Sequence, residues 1–317
     1  AEDHRHSRPS RQIPEEVRQV NPRPFGSLLL RPAAASGRSG GCSGSRLAWF
    51  ALCLFLAFGP SPTLSADTRQ VQVRHVVDGD TLVLDSGETV RLAGINTPEL
   101  GQNGQPDQPL AAAATRALRG LVGAGTVVLE EATEREDRYG RTLAYLTTTD
   151  GRSIQAQLLR EGLASAVAVS PNVRHLQRYA ETERRALAEK RGIWGLSYYR
   201  TLPATSKAAG RGGYAFVYGK VQRIEIGDRW YAFSLAKHFV VLVPRSDWAH
   251  YFEYPPCSLD RSQIAVRGWV STRGKRSRLV IKHAFMLERC GSDPVVLCPE
   301  RTARRALPET DDAALCG

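Results

Sequence analysis

No apolar run in this sequence is long enough to cross a bilayer. The longest, residues 47–58, holds twelve residues without a break, against the ~20 that a spanning helix requires. It follows Arg46, stops at Gly59-Pro60-Ser61-Pro62, and is trailed by small residues at Ser65 and Ala66. That length with those flanks matches the apolar core of an export signal rather than an uncleaved anchor. Residues 46–66 are therefore expected to be a signal peptide, and the mature chain to be secreted or periplasmic, with no stable membrane insertion. Residues 1–45 are rich in Arg, Pro, Gly and Ser and do not start with Met. They are expected to be disordered or an over-extension upstream of the native start.

Zinc-type spacing is missing as well. There is no Cys-x-x-Cys and no His-x3-His pair, which removes the common structural zinc patterns. Of the six cysteines, Cys42 and Cys53 fall in the segment expected to be lost. Cys257, Cys290, Cys298 and Cys316 remain, and four cysteines in an exported chain read as two disulfides in one of three pairings. The preferred pairing is Cys257–Cys290 with Cys298–Cys316. Excess charge is absent from the middle of the chain: residues 67–197 hold 16 basic and 17 acidic residues. Residues 198–317 hold 19 against 11, and residues 1–66 hold 8 against 4, which completes the net +11. A basic second module beside a near-neutral first one points to a polyanion partner.

An apolar content of 42% and a charged content of 24% over 317 residues fit a globular chain with two domains. Strands are expected at 71–77, 81–85, 88–95, 126–130 and 142–148, with Asp85-Ser86-Gly87 as a hairpin turn. Helices are expected at 110–122, 154–161 and 172–191, each stopped by a glycine. Residues 199–213 read as a linker. Beyond it, strands are expected at 214–226, 229–236, 238–243, 263–271 and 278–288, with a helix at 246–253. That layout is OB-like, with an SH3-like barrel as the competitor. Residues 291–317 read as a peripheral tail.

Three segments concentrate the chemistry: Val77-Asp78-Gly79-Asp80-Thr81, then Val90-Arg91-Leu92-Ala93-Gly94-Ile95-Asn96-Thr97-Pro98-Glu99, then Asp137-Arg138-Tyr139-Gly140-Arg141. Carboxylates, an amide and backbone carbonyls are the donors that a hard cation takes. Guanidinium forks match phosphate oxygens bidentately, and a carboxylate left off the metal can accept a proton from water. Period-two alternation turns Arg91 away from Val90 and Leu92, and an arginine held in an apolar strand needs an anionic partner.

In this order and spacing the segments resemble the thermonuclease (staphylococcal nuclease-like) family over about residues 71–194. The likeness continues through Glu161-Gly162-Leu163-Ala164 and Arg191-Gly192-Ile193-Trp194. The resemblance implies an α+β fold for residues 67–198, a five-stranded OB-type barrel with three helices; the second small barrel at 214–290 rests on the strand pattern alone. The resemblance also implies Arg91, Glu99 and Arg141 as catalytic, and Asp80, Asn96 and the Thr97 carbonyl as ligands of one Ca²⁺, with Asp78 indirect. Arg138 and Tyr139 would contact the nucleotide. The implied reaction is hydrolysis of DNA and RNA, single strands preferred, at the 5′ P–O bond.

Two positions depart from the family pattern. Asn96 stands where an aspartate is usual, which weakens Ca²⁺ binding because affinity follows ligand charge. Ala166-Val167-Ala168-Val169-Ser170 stands where pocket-lining tyrosines are usual. The alternative function is therefore a catalytically weak or inactive nucleic-acid-binding or envelope protein. In the second module, Tyr214, Phe216 and Tyr218 either stack bases or fill the core. Lys275, Arg276 and Arg278, at a hairpin turn, are expected to contact nucleic acid. No protein partner is implied.

Overall fold

The structure, a computed structural model, describes residues 68–101, 104–291 and 297–298. The expected leader, Cys42, Cys53, Cys316 and most of the tail lie outside the described residues. Among the described residues, no helix is long and apolar enough to cross a membrane.

The first module contains β1 (Thr68–Val76), β2 (Thr81–Leu84), β3 (Thr89–Leu92), β4 (Ile95–Asn96), α1 (Ala111–Val122), β5 (Thr126–Glu136), β6 (Thr142–Thr148), α2 (Ile154–Arg160), β7 (Ser165–Ala166) and α3 (Leu176–Ala188). The five longer strands close a barrel in the order β1-β2-β3-β6-β5. Alternation drives the closure: Leu82, Leu84, Val90, Leu92, Leu129 and Leu146 point into a common core. The expected five-stranded barrel with three helices is what forms. On α1 the buried residues Ala111, Ala114, Thr115, Leu118 and Val122 follow helical spacing. The third helix is shorter than the expected 172–191. Asn172 is drawn out of it to β5, accepting from the Glu134 N–H at 2.8 Å and donating to the Glu134 carbonyl at 3.0 Å.

The second module contains β8 (Leu202–Pro203), β9 (Gly213–Lys220), β10 (Arg223–Ile226), β11 (Trp230–Ala236), β12 (Phe239–Pro244), α4 (Arg245–Tyr251), β13 (Gln263–Arg273), β14 (Arg276–Val280) and β15 (Leu287–Arg289). They form one eight-stranded sheet in the order β10-β11-β12-β14-β13-β9-β8, with β15 on β13. The expected strands at 214–226 and 278–288 each break in two, at the buried Val221 and Ile281. β9 and β10, the two pieces of the expected strand 214–226, pair with β13 and β11, so β10-β11-β12-β14-β13-β9 repeats the strand order of the first barrel with its first strand split. Residues 199–213 contain β8, which pairs with β9.

The two modules share a buried seam. Arg267 on β13 and Glu183 on α3 are each 1% exposed and lie 2.6 Å apart. Arg267 Nη1 also donates to the Ala166 carbonyl at 3.2 Å, and the other Glu183 oxygen accepts from the Ala166 N–H at 2.8 Å. Val167 (3% exposed) and Ala168 (1%) belong to the apolar core of the second module. Small side chains stand at this segment because the sheet lies on top of it.

One expectation is corrected here, the disulfide pairing, and one alternative is narrowed. Phe216 is buried in a small cluster of its own, and Tyr214 packs against both that cluster and the main core of the module. Phe216 meets Trp194 (ring centroids 5.4 Å apart) and Tyr214 meets Trp269 (5.0 Å); Tyr218 packs beside them. The disulfide is Cys290–Cys298, not Cys257–Cys290. Leu297 is buried with Phe216 and Ala265, which folds the chain back onto the end of β15 and sets Cys298 beside Cys290. Cys257 is disulfide-bonded too.

Candidate active site

Asp80 sits at the mouth of the barrel, one residue before β2, and is buried. The turn that delivers it is closed by Asp78, whose carboxylate accepts from the Asp80 N–H at 3.0 Å. Gly79 is required there: a Cβ would lie 2.6 Å from Thr97 Oγ1 and 2.7 Å from Ala114 Cβ. The Asp80 carboxylate is ringed by donors. Arg91 Nη1 lies at 2.5 Å, the Thr97 N–H and hydroxyl at 2.9 and 3.0 Å, and Thr81 Oγ1 at 3.1 Å. Arg91 points as the alternation required, away from Val90 and Leu92, and finds its anion in Asp80. Asn96 Oδ1 accepts from Arg91 Nη2 at 3.3 Å, and its Nδ2 donates to the Thr97 carbonyl at 3.1 Å.

Arg141 is fixed by a residue that the sequence reading left without a role. Asp137 accepts from Arg141 Nε at 2.7 Å, and from the backbone N–H groups of Tyr139 at 2.8 Å and Arg141 at 3.1 Å. Burial works against the Asp137 charge, but these hydrogen bonds hold its carboxyl below the usual range. Tyr139 stands between two guanidinium groups, with Arg138 at 4.7 Å and Arg141 at 5.5 Å from its ring centre.

These groups face one cleft of about 600 Å³. Asp78, Asp80, Arg91, Glu99, Asp137, Arg138, Tyr139 and Arg141 line it, joined by Glu134 and Glu136 from β5. Glu99 is an exposed residue whose carboxyl faces that wall. Desolvation by the wall, then the charges of Asp80 and Asp78, push it up to about 7 against the pull of Arg91 and Arg141. Burial first, then Asp80, raises Asp78. Trp269 and Lys282, from the second module, complete the lining. Neither was singled out from the sequence, although a tryptophan on an alternating strand beside basic residues was a usable signal.

Other expected residues line further cavities or lie on the surface. Asn96 and Thr97 line a second cavity, of about 290 Å³. Lys275 lines a third, of about 410 Å³, together with Lys207, Lys237 and His238. Arg276 and Arg278 are exposed on β14, where Arg278 Nε donates to Ser271 Oγ at 3.0 Å.

Among the described residues, no three His, Cys, Asp or Glu side chains cluster as metal ligands. The oxygens near Asp80 are two carboxylates, the Thr97 carbonyl and the Asn96 amide, and the amide is occupied by Arg91 and Thr97. An all-oxygen set of this kind fits a hard cation and disfavours a thiophilic one. It carries less negative charge than a set with a third carboxylate.

The site is thus a closed barrel with carboxylates and two anchored guanidinium groups at its mouth. The family model for staphylococcal nuclease homologues matches residues 89–195. The chain is 35% identical over 141 residues to a thermonuclease of Staphylococcus intermedius, covering 43% of this chain and 83% of that one. It therefore belongs to the staphylococcal nuclease family. It is also 38% identical over 136 residues to the SPbeta prophage-derived endonuclease YokF, and 37% over 136 residues to the endonuclease YncB, both of Bacillus subtilis (strain 168). Those matches take in 41% of this chain, and 46% and 64% of the two endonucleases. The family match stops short of β8–β15, the whole of the second module.

Proposed function

We propose that the chain is a Ca²⁺-dependent nuclease that hydrolyses phosphodiester bonds of DNA and RNA, secreted or periplasmic, with its second module binding the nucleic acid. The observation that carries this reading is the convergence of Arg91, Arg141 and Glu99 on one cleft. Glu99 takes the proton of the attacking water onto its carboxylate, and its pKa near 7 suits a base working at neutral pH. Arg91 and Arg141 stabilise the negative charge that grows on the phosphate oxygens. Each is preorganised by a carboxylate, Asp80 and Asp137, so little reorientation is needed during attack. When bound, the cation would be held by Asp80 and the Thr97 carbonyl, with Asp78 nearby, and would supply Lewis-acid charge neutralisation. The Asn96 amide then acts mainly on Arg91 and on the loop.

Digestion of denatured DNA tests the proposal, in Ca²⁺ and in EDTA, with the wild type and Glu99→Gln. Loss of the base should slow cleavage by about 10²–10⁴-fold, and removal of either arginine by about 10²–10³-fold. Equal, slow cutting by wild type and Glu99→Gln at every Ca²⁺ concentration would sink the enzyme reading. It would favour binding without turnover, a reading that the small number of carboxylates at Asp80 supports.

A further inference from the structure

The barrel-side wall of the cleft does not suit a polyanion by itself. Six carboxylates line it, Asp78, Asp80, Glu99, Glu134, Glu136 and Asp137, against the three guanidinium groups of Arg91, Arg138 and Arg141. Asp80 and Asp137 are neutralised by Arg91 and Arg141, which leaves Arg138 facing four acidic groups. A nucleic-acid strand entering this cleft needs cationic charge from the opposite wall.

The opposite wall comes from the second module. Ile264, Val266, Val270 and Leu279 turn into its core, so the alternate residues of β13 and β14 turn out. Register sets Trp269 beside Val280, Ser271 opposite Arg278, and Arg273 opposite Arg276. Lys282 follows Val280 by one more two-residue step. Trp269, 43% exposed, and Lys282 line the active cleft itself. Arg278, Arg276 and Arg273 continue away from it along the same face, all exposed. On the flanking strand the outward residues next to Arg278 and Val280 are Val240 and Leu242, with no acidic group. Lys282 lies within electrostatic range of Asp247, whose carboxyl its charge favours ionised.

We propose that this hairpin face and the active cleft form one continuous track for a single nucleic-acid strand. Trp269 stacks on a base at the cleft mouth, Lys282 holds a phosphate there, and the hairpin arginines hold the phosphates that follow. The four-residue step from Trp269 to Arg273 spans about 14 Å. The inference rests on the nuclease reading of the cleft, but its test separates the two.

Binding of a fluorescein-labelled single-stranded DNA 12-mer to the full chain in EDTA is measured by anisotropy, and cleavage of the same oligonucleotide in Ca²⁺ by initial rates. Trp269→Ala should weaken binding about tenfold, and Trp269→Phe, which keeps an aromatic face, should restore most of it. Lys282→Gln should flatten the plot of log affinity against log salt by about 0.7, one phosphate contact on a single strand. In cleavage, Trp269→Ala should raise KM more than it lowers kcat. Wild-type affinity in a folded Trp269→Ala overturns the proposal, as does an unchanged salt slope in Lys282→Gln. Should Trp269→Ala fail to fold, Trp269→Leu and Lys282→Gln decide. A wild type that binds through Trp269 but never cuts would sink the nuclease reading and leave the track standing. A wild type that cuts with both variants unaltered would sink the track alone.

Discussion

Asp80 has its carboxylate surrounded by an arginine, two hydroxyls and a backbone N–H, and this tight collar follows from Gly79. Gly79→Ala forces a methyl group into Thr97 and Ala114, and overpacking of that kind costs about 1–3 kcal/mol. Glu99 gives the clearest pH signature. Its folded pKa lies near 7, above the ordinary 4.5, so between those values the folded state binds a proton that the unfolded state has released. Stability contributed by that proton is present at pH 4.5 and lost as the pH rises towards 7. Melting temperatures in EDTA should therefore fall over that window, and Glu99→Gln should fall less. Parallel curves for the two proteins would contradict the assignment. The turn of Arg91 towards an anion was legible from the strand period, while Asp80, Glu99 and Arg141 were picked out by the family resemblance; the structure brings all four to one cleft. Asp137 was not legible, because its part depends on the fold of a five-residue loop. Asn96 was legible as an oxygen donor, yet the structure engages both ends of its amide.

On α3 the buried residues Tyr179, Glu183 and Ala186 repeat at helical spacing. A carboxylate on that face has to meet a charge. It meets Arg267 across the seam, where burial pushes the Glu183 carboxyl up and Arg267 pulls it down. Burial disfavours the Arg267 charge, but Glu183 and its other neighbours raise its pKa. The pair grips Ala166 on β7, and Ala166 is the ladder partner of Ile95, next to Asn96. Glu183→Gln or Arg267→Met alone should cost about 3–5 kcal/mol by stranding a buried charge. The double variant Glu183→Leu/Arg267→Met should recover most of that loss, read from urea midpoints. Single variants within experimental error of wild type would refute the coupling. The helix periodicity held the signal for Glu183, but its partner lies in the other module, and a sequence gives no distance between modules. The same blind spot hid the reason for Val167 and Ala168. In the sequence they are missing tyrosines, and in the structure they are the floor on which the second sheet rests.

Residues 68–291 behave as one unit around the seam rather than as a nuclease with an independent appendage. Deleting 203–317 removes basic groups, and it also uncovers Val167, Ala168 and a buried glutamate. The truncated chain should melt at a lower temperature, bind a hydrophobic dye and lose single-strand binding. Melting unchanged from the full chain would show that the seam contributes nothing. The first barrel was legible element by element because its strands are short, alternating and bounded by turns. The second was legible as strands, but not the breaks at Val221 and Ile281, which depend on packing. The net +11 was legible as a polyanion signal, and the structure adds its geography: arginines lie on an outward face that runs to the cleft.

That geography bears on the order in which the protein becomes competent. Chains emerge from synthesis with the N-terminal part first, and domains fold as units. Asp80, Arg91, Glu99 and Arg141 are in place once the first barrel closes, while Trp269 and Lys282 are supplied from much later in the chain. A nascent chain thus carries Asp80, Arg91, Glu99 and Arg141 before the wall that faces them. Until β13 and β14 have formed, the cleft lacks its tryptophan and its lysine.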